Sequence, residues 1–502
     1  MTAGDRSPCL IAAARHTWHP ADGPAPEPLD MWEHVVRALP GDAGISSRAV
    51  EQVDDLNLVH CQSWAYDRPV ERLAERLGLH PANRSESILA GTSPQRLLNL
   101  AAERMLRGET RAALVVGGEA LATRRVADRG GAIPPWSHPH PSPPALPVDL
   151  DEWYLPTEIA HGILPAWLTF ALLEQARWAA RGGTAEQRME LYEVLDRINA
   201  VAVDNPDAWF RERHRADDLA TPDAGNRMVA TPYTKHMTAF MDVDMAAASL
   251  MVTRELADQL GVPEDRRVHL RGWGFARDSV HLGARHDLTR SPAMAAATGG
   301  ALAMAGLGVD DLSCFDLYSC FGSAVQFALD ALGLAHDDPR PLSVTGGLPY
   351  HGGPSSNYMG HSISHLADRL RTRPDEVGLV TGIGMHMTKH VAAVWSVRPG
   401  PIIRTGGTEQ PQRWGADPAD TGDVTVRDAA DGPARVLAAS VVHGRDGAAD
   451  HGVAVCELPG GDRCYARTSE PDTLAALGAD AWVGANAELR SRPDRTNDLR
   501  LG

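Results

Sequence analysis

VDDLSCFDLYSCFGSAVQFALDALGL, Val309 to Leu334, repeats the plan of an earlier stretch, VDDLNLVHCQSW from Val53 to Trp64, which is followed by VERLAERLGL from Val70 to Leu79. Each copy has an acidic lead-in, a short apolar run of strand character, a polar and aromatic end, and then apolar residues at helical spacing. A second pair follows the same logic: AGTSPQRLLNLAAERMLRGETRAALVVGGEA from Ala90 to Ala120, and MGHSISHLADRLRTRPDEVGLVTGIG from Met359 to Gly384. Both open on small or polar residues at a helix start, pass through an amphipathic helix and a loop, and close on an apolar strand that ends in glycine. Two copies of a strand–helix–strand unit predict duplicated α/β halves, each with a largely buried sheet.

Outside the repeats the texture changes. The proline-rich GGAIPPWSHPHPSPPALP and two helical stretches, AHGILPAWLTFALLEQARWAARG and AEQRMELYEVLDRINAVAVDNPDAWF, read as an insertion over about residues 125–230 that covers a site. Past Pro399, GDVTVRDA, ARVLAASVVHG and HGVAVCELPGGDRCYARTS alternate apolar and polar residues between Gly and Asp turns. That pattern predicts a small β-barrel of the oligonucleotide-binding type. The expected units are therefore a first half over residues 1–265 that carries the insertion, a second half over 266–400, and a β-rich domain over 401–502.

Composition narrows the function. A chain of 502 residues that is 43% hydrophobic has material for several cores. A net charge of −17 and the absence of a basic stripe argue against nucleic-acid binding. No run long and apolar enough for membrane insertion appears, and MTAGDRSPCL lacks the order of a signal peptide, so the expected place is the cytoplasm. The cysteines are scattered without a CxxC pair and read as reduced thiols. Of 48 basic side chains only two are lysine, Lys235 and Lys389, and both sit in a Thr-Lys-His tripeptide. A lysine kept against such a bias toward arginine is a candidate for a compact donor or a low-pKa amine; a surface lysine in a salt bridge is the alternative.

The helix-start turn at Gly91, the DLYSCF strand end, the GGxxxxGGP turn from Gly346 and the late LVTGIG resemble the thiolase superfamily in order and spacing. They are most similar to acetyl-CoA acetyltransferase-like members that carry an additional C-terminal domain. The resemblance implies two pseudo-symmetric halves in five layers, a coenzyme A thioester as substrate or co-substrate with no covalently bound cofactor, and carbon–carbon bond making or breaking. It also implies a homodimer or another protein partner.

Thiolase chemistry needs a cysteine thiolate at a helix N-terminus, a histidine in a GHP turn, an oxyanion turn of NEAF or HDCF type, and a second cysteine for the α-proton. Aligned on those motifs, Gly91 stands at the nucleophile with Thr92 and Ser93 beside it, Gly353 stands at the histidine, and Thr381, Gly382 and Ile383 stand at the second cysteine. Only the oxyanion turn survives in part, as Tyr318-Ser319-Cys320-Phe321. The resemblance thus implies a site that lacks the usual Cys/His/Cys set. Candidates for catalysis are Tyr318, Cys320, His351, His361, Lys235, His386 and Lys389. Candidates for the substrate or oxyanion turn are Gly91, Thr92, Ser93, Ser319, Gly353, Asn357 and Gly384.

Three readings remain open. In one, CoA-thioester chemistry proceeds without an acyl-enzyme, as acyl transfer, retro-Claisen or retro-aldol cleavage, with Tyr318 as acid and a histidine as base. In another, the chain binds acyl-CoA without turnover or serves as a subunit of a complex. In the third, the i, i+4 pairs His361/His365 and His386/His390 hold a metal; the reading carried forward places none. Plainer roles stand beside these: Thr92 and Ser93 as helix caps, one of Tyr318 and Cys320 as core, and Trp136, Trp153, Trp167, Trp178 and Trp209 as packing.

Overall fold

The structure is a computed structural model that describes residues 6–44, 48–132, 134–143, 150–404, 422–478 and 482–501. Part of the proline-rich stretch (133 and 144–149) and the start of the expected third domain (405–421) lie outside the described residues.

Nine strands form the central sheet: β1 (Pro8–Thr17), β2 (Asp55–Leu58), β3 (Asn83–Glu86), β4 (Ala112–Ala120), β5 (Asp244–Thr253), β6 (Val268–Arg277), β7 (Cys314–Asp316), β8 (Val377–Gly384) and β9 (Lys389–Ser396). Their spatial order, β3-β2-β4-β5-β1-β6-β9-β8-β7, reads the same way outward from its middle. In the first half β2 and β4 are parallel, and β5 runs antiparallel to both β4 and β1. In the second half β7 and β8 are parallel, and β9 runs antiparallel to β8 and β6. The halves join where Cys9 faces His269 and Leu10 faces Val268. The expected duplication is thus present in the strand pairing itself. A counterpart of β3 is reduced to two backbone bonds, Phe315 N–H to Pro341 O and Leu317 N–H to Leu342 O, each 2.9 Å, in a stretch where proline withholds the donors a strand needs.

Both half-sheets are buried because helices cover both faces. The Pro28–Ala43 helix packs on β1, β4 and β5, and the Pro292–Ala305 helix packs on β6 and β9. Between the half-sheets lie the Ser93–Arg107 and Tyr358–Thr372 helices, which touch each other and strands of both halves. This gives five layers: helices, sheet, helices, sheet, helices. The central helices lack an aqueous face over most of their length; Gln95, Arg96 and Asn99 are as buried as Leu97 and Leu98. Their N-terminal ends meet in the middle of the molecule, and the candidate site lies there.

The insertion supplies the Ala166–Ala180 and Ala185–Asp204 helices, which pack against the Gly322–Leu332 helix. The C-terminal strands β10 (Gly432–His443), β11 (Ala449–Glu457), β12 (Arg463–Thr468), β13 (Asn486–Ser491) and β14 (Asn497–Leu501) pair as β10-β11-β12-β14-β13 and back to β10. That closes a five-stranded barrel with the Pro471–Gly478 helix between its third and fourth strands, the oligonucleotide-binding topology expected. Of GDVTVRDA only Val426–Arg427 is a strand, and it lies outside the barrel, parallel to Arg463–Cys464. The barrel is anchored rather than tethered. Tyr465 Oη donates to Glu158 of the insertion at 2.5 Å and accepts from Gly283 N–H at 2.6 Å. Ala230 of the insertion pairs with Val442 of β10. No helix among the described residues is long and apolar enough to cross a membrane.

Candidate active site

Four segments converge at the N-terminal ends of the central helices: the Ala90–Ser93 turn, the Leu317–Phe321 turn after β7, the Thr345–Asn357 loop and the β8–β9 turn from Gly384 to Lys389. Ala90 N–H donates to Ser356 Oγ at 3.0 Å, which ties the first segment to the third. Tyr318 N–H donates to Thr381 Oγ1 of β8 at 2.9 Å.

Gly91 is the pivot. A Cβ placed on it would lie 2.1 Å from Tyr318 Oη, 2.6 Å from Tyr318 Cζ and 2.3 Å from Ile383 O. Real non-bonded contacts do not come so close, so a side chain at position 91 would force both Tyr318 and the Ile383 backbone to shift. The tyrosine hydroxyl occupies the place a side chain would take at the start of the Ser93–Arg107 helix. Burial raises the Tyr318 pKa well above the ordinary phenol value, so at neutral pH its hydroxyl is a donor. A helix N-terminus beside it carries a partial positive charge.

The hydroxyls next to Gly91 depart from the capping expected of them. Thr92 takes the cap position but makes no side-chain cap bond, and its Oγ1 is buried with no partner among the described residues. The reason is conformational: its φ of −81° and ψ of −10° are helical, whereas a capping side chain needs an extended backbone to reach back. Ser93 Oγ donates to Ile88 O at 3.0 Å. Ser319 Oγ accepts from Leu348 N–H at 3.3 Å. Gly353 donates its N–H to Phe240 O at 2.8 Å, and a Cβ there would point at Leu348, 3.1 Å away. Asn357 Nδ2 donates to Gly117 O of β4 at 2.7 Å and so joins the loop to the first half-sheet.

Cys320 lies in the turn, but burial pushes its thiol far above the ordinary range, the opposite of what a nucleophile requires. His351 and His361 are fully buried, and neither ring nitrogen of either has a partner among the described residues. Their rings are 5.2 Å apart, and His365 lies 5.4 Å from His351. Burial lowers the pKa of His351 to about 3 and that of His361 well below the usual value, so both are neutral. Tyr358 separates them from Tyr318, its ring 5.5 Å from Tyr318 and 6.1 Å from His351.

His386 is clamped by the insertion, with Tyr154 Oη 2.6 Å from Nε2 and Thr169 Oγ1 2.8 Å from Nδ1. Each hydroxyl also donates to a backbone carbonyl, Thr169 to Ala166 O at 2.9 Å and Tyr154 to Leu164 O at 3.2 Å, so the ring is held from both sides by groups fixed in the insertion. Burial lowers the His386 pKa to about 4, and the side chain holds the turn to the insertion. The turn itself is bent, with Met385 and Met387 in the left-handed region at φ 53° and 58°. Beyond it, His390 bonds Asp278 at 3.1 Å. Among the described residues no group of three ligand-type side chains is arranged to hold a metal.

The two lysines do not share a setting. Lys235 is exposed, with Nζ 3.5 Å from Gly225 O, while Lys389 is buried with Nζ 4.2 Å from the centre of the Trp153 ring. The shared Thr-Lys-His tripeptide thus places its lysine on the surface in one copy and against an indole in the other.

Sequence reasoning missed Asp316. Fully buried at the end of β7, it accepts from Ser343 Oγ at 2.8 Å, Val344 N–H at 2.9 Å and Tyr358 Oη at 3.1 Å. Thr345 Oγ1 lies 2.6 Å from Tyr358 Oη. This network sets the loop that begins at Gly346 and holds the Tyr358 ring against Tyr318. The signal was an acid inside the apolar run SCFDLY, because a carboxylate there needs built-in donors.

No family model and no curated protein sequence matches the chain. Solved structures do. A monomeric SCP2-thiolase-like protein type 1 from Mycobacterium smegmatis is 27% identical, with 99% of each chain covered and a TM-score of 0.83. Human mitochondrial 3-ketoacyl-CoA thiolase in complex with CoA is 15% identical over 79% of this chain and 99% of that one, with a TM-score of 0.57. An Ltp2-ChsH2(DUF35) aldolase is 17% identical over 78% of this chain and 98% of that one, with a TM-score of 0.58. The last two likenesses carry the fold alone.

Proposed function

The chain has the thiolase-superfamily fold, and on that premise we propose that it binds an acyl-CoA thioester where the central helices begin and acts on it without forming an acyl-enzyme. One observation carries this reading: Tyr318 Oη and Ile383 O fill the space that a nucleophile on residue 91 would need. The helix N-terminus and the Tyr318 hydroxyl together suit a thioester carbonyl, the first by its partial charge and the second as a donor. The reaction class that fits is carbon–carbon cleavage or acyl transfer assisted by a neutral acid, with no covalently bound cofactor. That a hydroxyl, rather than an apolar group, stands in the nucleophile's place favours catalysis over silent binding. The similar structures include a thiolase in complex with CoA and an aldolase, and the chain shares their fold. We assign the protein to the cytoplasm, as a homodimer or with a protein partner.

Calorimetry with acetyl-CoA and octanoyl-CoA, beside an assay of acetoacetyl-CoA and CoA for thiolysis, tests the reading. The expected result is saturable binding with no ordinary thiolysis. Tyr318→Phe is expected to weaken binding by about 3- to 10-fold, the loss of one hydrogen bond. Thiolysis by the wild-type chain, or no binding of either thioester, overturns the proposal.

A further inference from the structure

A cavity of about 660 Å³ lies away from the helix starts, where the insertion, the Met228–Thr234 hairpin and the barrel meet. Its size falls within the range of small-molecule sites. Tyr192, Met228, Pro232, Val441 and Leu474 give it a mostly apolar wall, and Thr231, His443 and Ser469 add hydrogen-bonding groups. Its one cationic member, Arg188, already has an acidic neighbour, lying 3.5 Å from the buried Glu174 and stacking on Trp178 at 4.3 Å, while Asp450 is exposed at the rim with His451 Nδ1 2.8 Å away. An anionic ligand therefore meets no uncommitted cation there, and the one carboxylate of the lining lies at the solvent-facing rim. In the neutral ring His443 Nδ1 donates to Gly447 O at 3.0 Å, which leaves Nε2 as an acceptor.

We infer that this cavity is a second ligand site, for a neutral, largely apolar molecule bearing a hydroxyl or ketone oxygen, and that its occupancy is felt at the helix starts. Two rigid connections lead there. The Ala185–Asp204 helix places Arg188 and Tyr192 on the cavity. One residue from Tyr192, Leu191 fills the space beside Gly322, directly after the Tyr318–Phe321 turn; further along, Ile198 and Ala202 press on Gly347 and Gly346. The hairpin forms the second connection. Thr231 and Pro232 line the cavity, and the next residue, Tyr233, donates to Ser323 Oγ at 2.7 Å and accepts from Ser323 N–H at 3.2 Å. A ligand that shifts either element changes the turn that carries Tyr318, which is the requirement for coupling between two sites.

The test uses the full chain and Nile red, a neutral apolar fluorophore, with decan-1-ol as a competitor. Wild-type protein is expected to bind one equivalent saturably and to release it to decanol. Ala475→Trp sets an indole over the cavity from an exposed position of the Pro471–Gly478 helix and is expected to weaken binding at least 10-fold. Its circular dichroism and melting temperature should stay at the wild-type values. Leu474→Asn, a second variant of the same wall, is expected to weaken it 3-fold or more. Octanoyl-CoA should leave the stoichiometry intact while changing the Nile red affinity. Failure of the dye to bind, binding unmoved by both variants, or simple competition with octanoyl-CoA overturns the inference. Because dye binding is read without any thioester, it is scored independently of the acyl-CoA proposal.

Discussion

The two central helices begin side by side and are closed in different ways. At the first, ahead of Ser93–Arg107, closure is steric: a tyrosine from the other half and a backbone carbonyl of β8 take the room of a side chain at Gly91. At the second, ahead of Tyr358–Thr372, closure is by polar side chains turned inward. There Asn357 is spent on Gly117, Tyr358 on Asp316, and His351 and His361 are buried neutral. A start closed by volume opens only by removing atoms. A start closed by buried polar groups is sensitive to protons. The duplication thus set up two equivalent positions, and different physics now governs each.

Three experiments break or sharpen this contrast. The largest effect is expected from Gly91→Cys, which should restore no thiol chemistry and should lower stability by about 3 kcal/mol by urea unfolding, because its Cβ meets Tyr318 and Ile383 O. Adding Tyr318→Ala should recover part of that loss but not all, since the carbonyl stays. Full stability of the single variant would show that the first start is not sterically closed.

Next is the acid limb of stability. His351 and His386, with pKa values lowered to about 3 and about 4, stay neutral when folded but take up protons when unfolded below about 6.5. The unfolded chain then holds more protons, so the unfolding free energy falls as pH drops from about 6.5, by about 1.4 kcal/mol per pH unit for each such group, until the folded pKa is reached. His351→Leu should flatten that limb by about one proton. An unchanged slope in urea titrations between pH 4.5 and 6.5 would deny the neutral, buried state of this residue.

The smallest effect is expected from Thr92→Val. It removes a buried hydroxyl that has no partner among the described residues, so stability should hold or rise by up to about 1 kcal/mol. A loss greater than that would show that Oγ1 has a partner at the first start.

Much of this was legible in the residues. The repeated VDDL stretches and the paired helix-start segments foretold a duplicated α/β core, and the alternation after Pro399 foretold a barrel, because periodicity reports burial directly. The absence of thiol and imidazole at Gly91 and Gly353 was legible too, since it depends only on which residue stands where. Asp316 could have been flagged by its place in an apolar run. Its donors include Ser343, Val344, Thr345 and Tyr358, and no local pattern announces them.

What the sequence by itself determined is the duplicated α/β core, the barrel and the residue types that stand at Gly91 and Gly353, all properties of local pattern and residue identity. Only the tertiary structure decided that Tyr318 fills the place left by Gly91, that Lys235 and Lys389 face different surroundings, and that a cavity opens where insertion meets barrel. Side-chain direction and free volume arise where segments hundreds of residues apart pack together, and neither is encoded in any one of them.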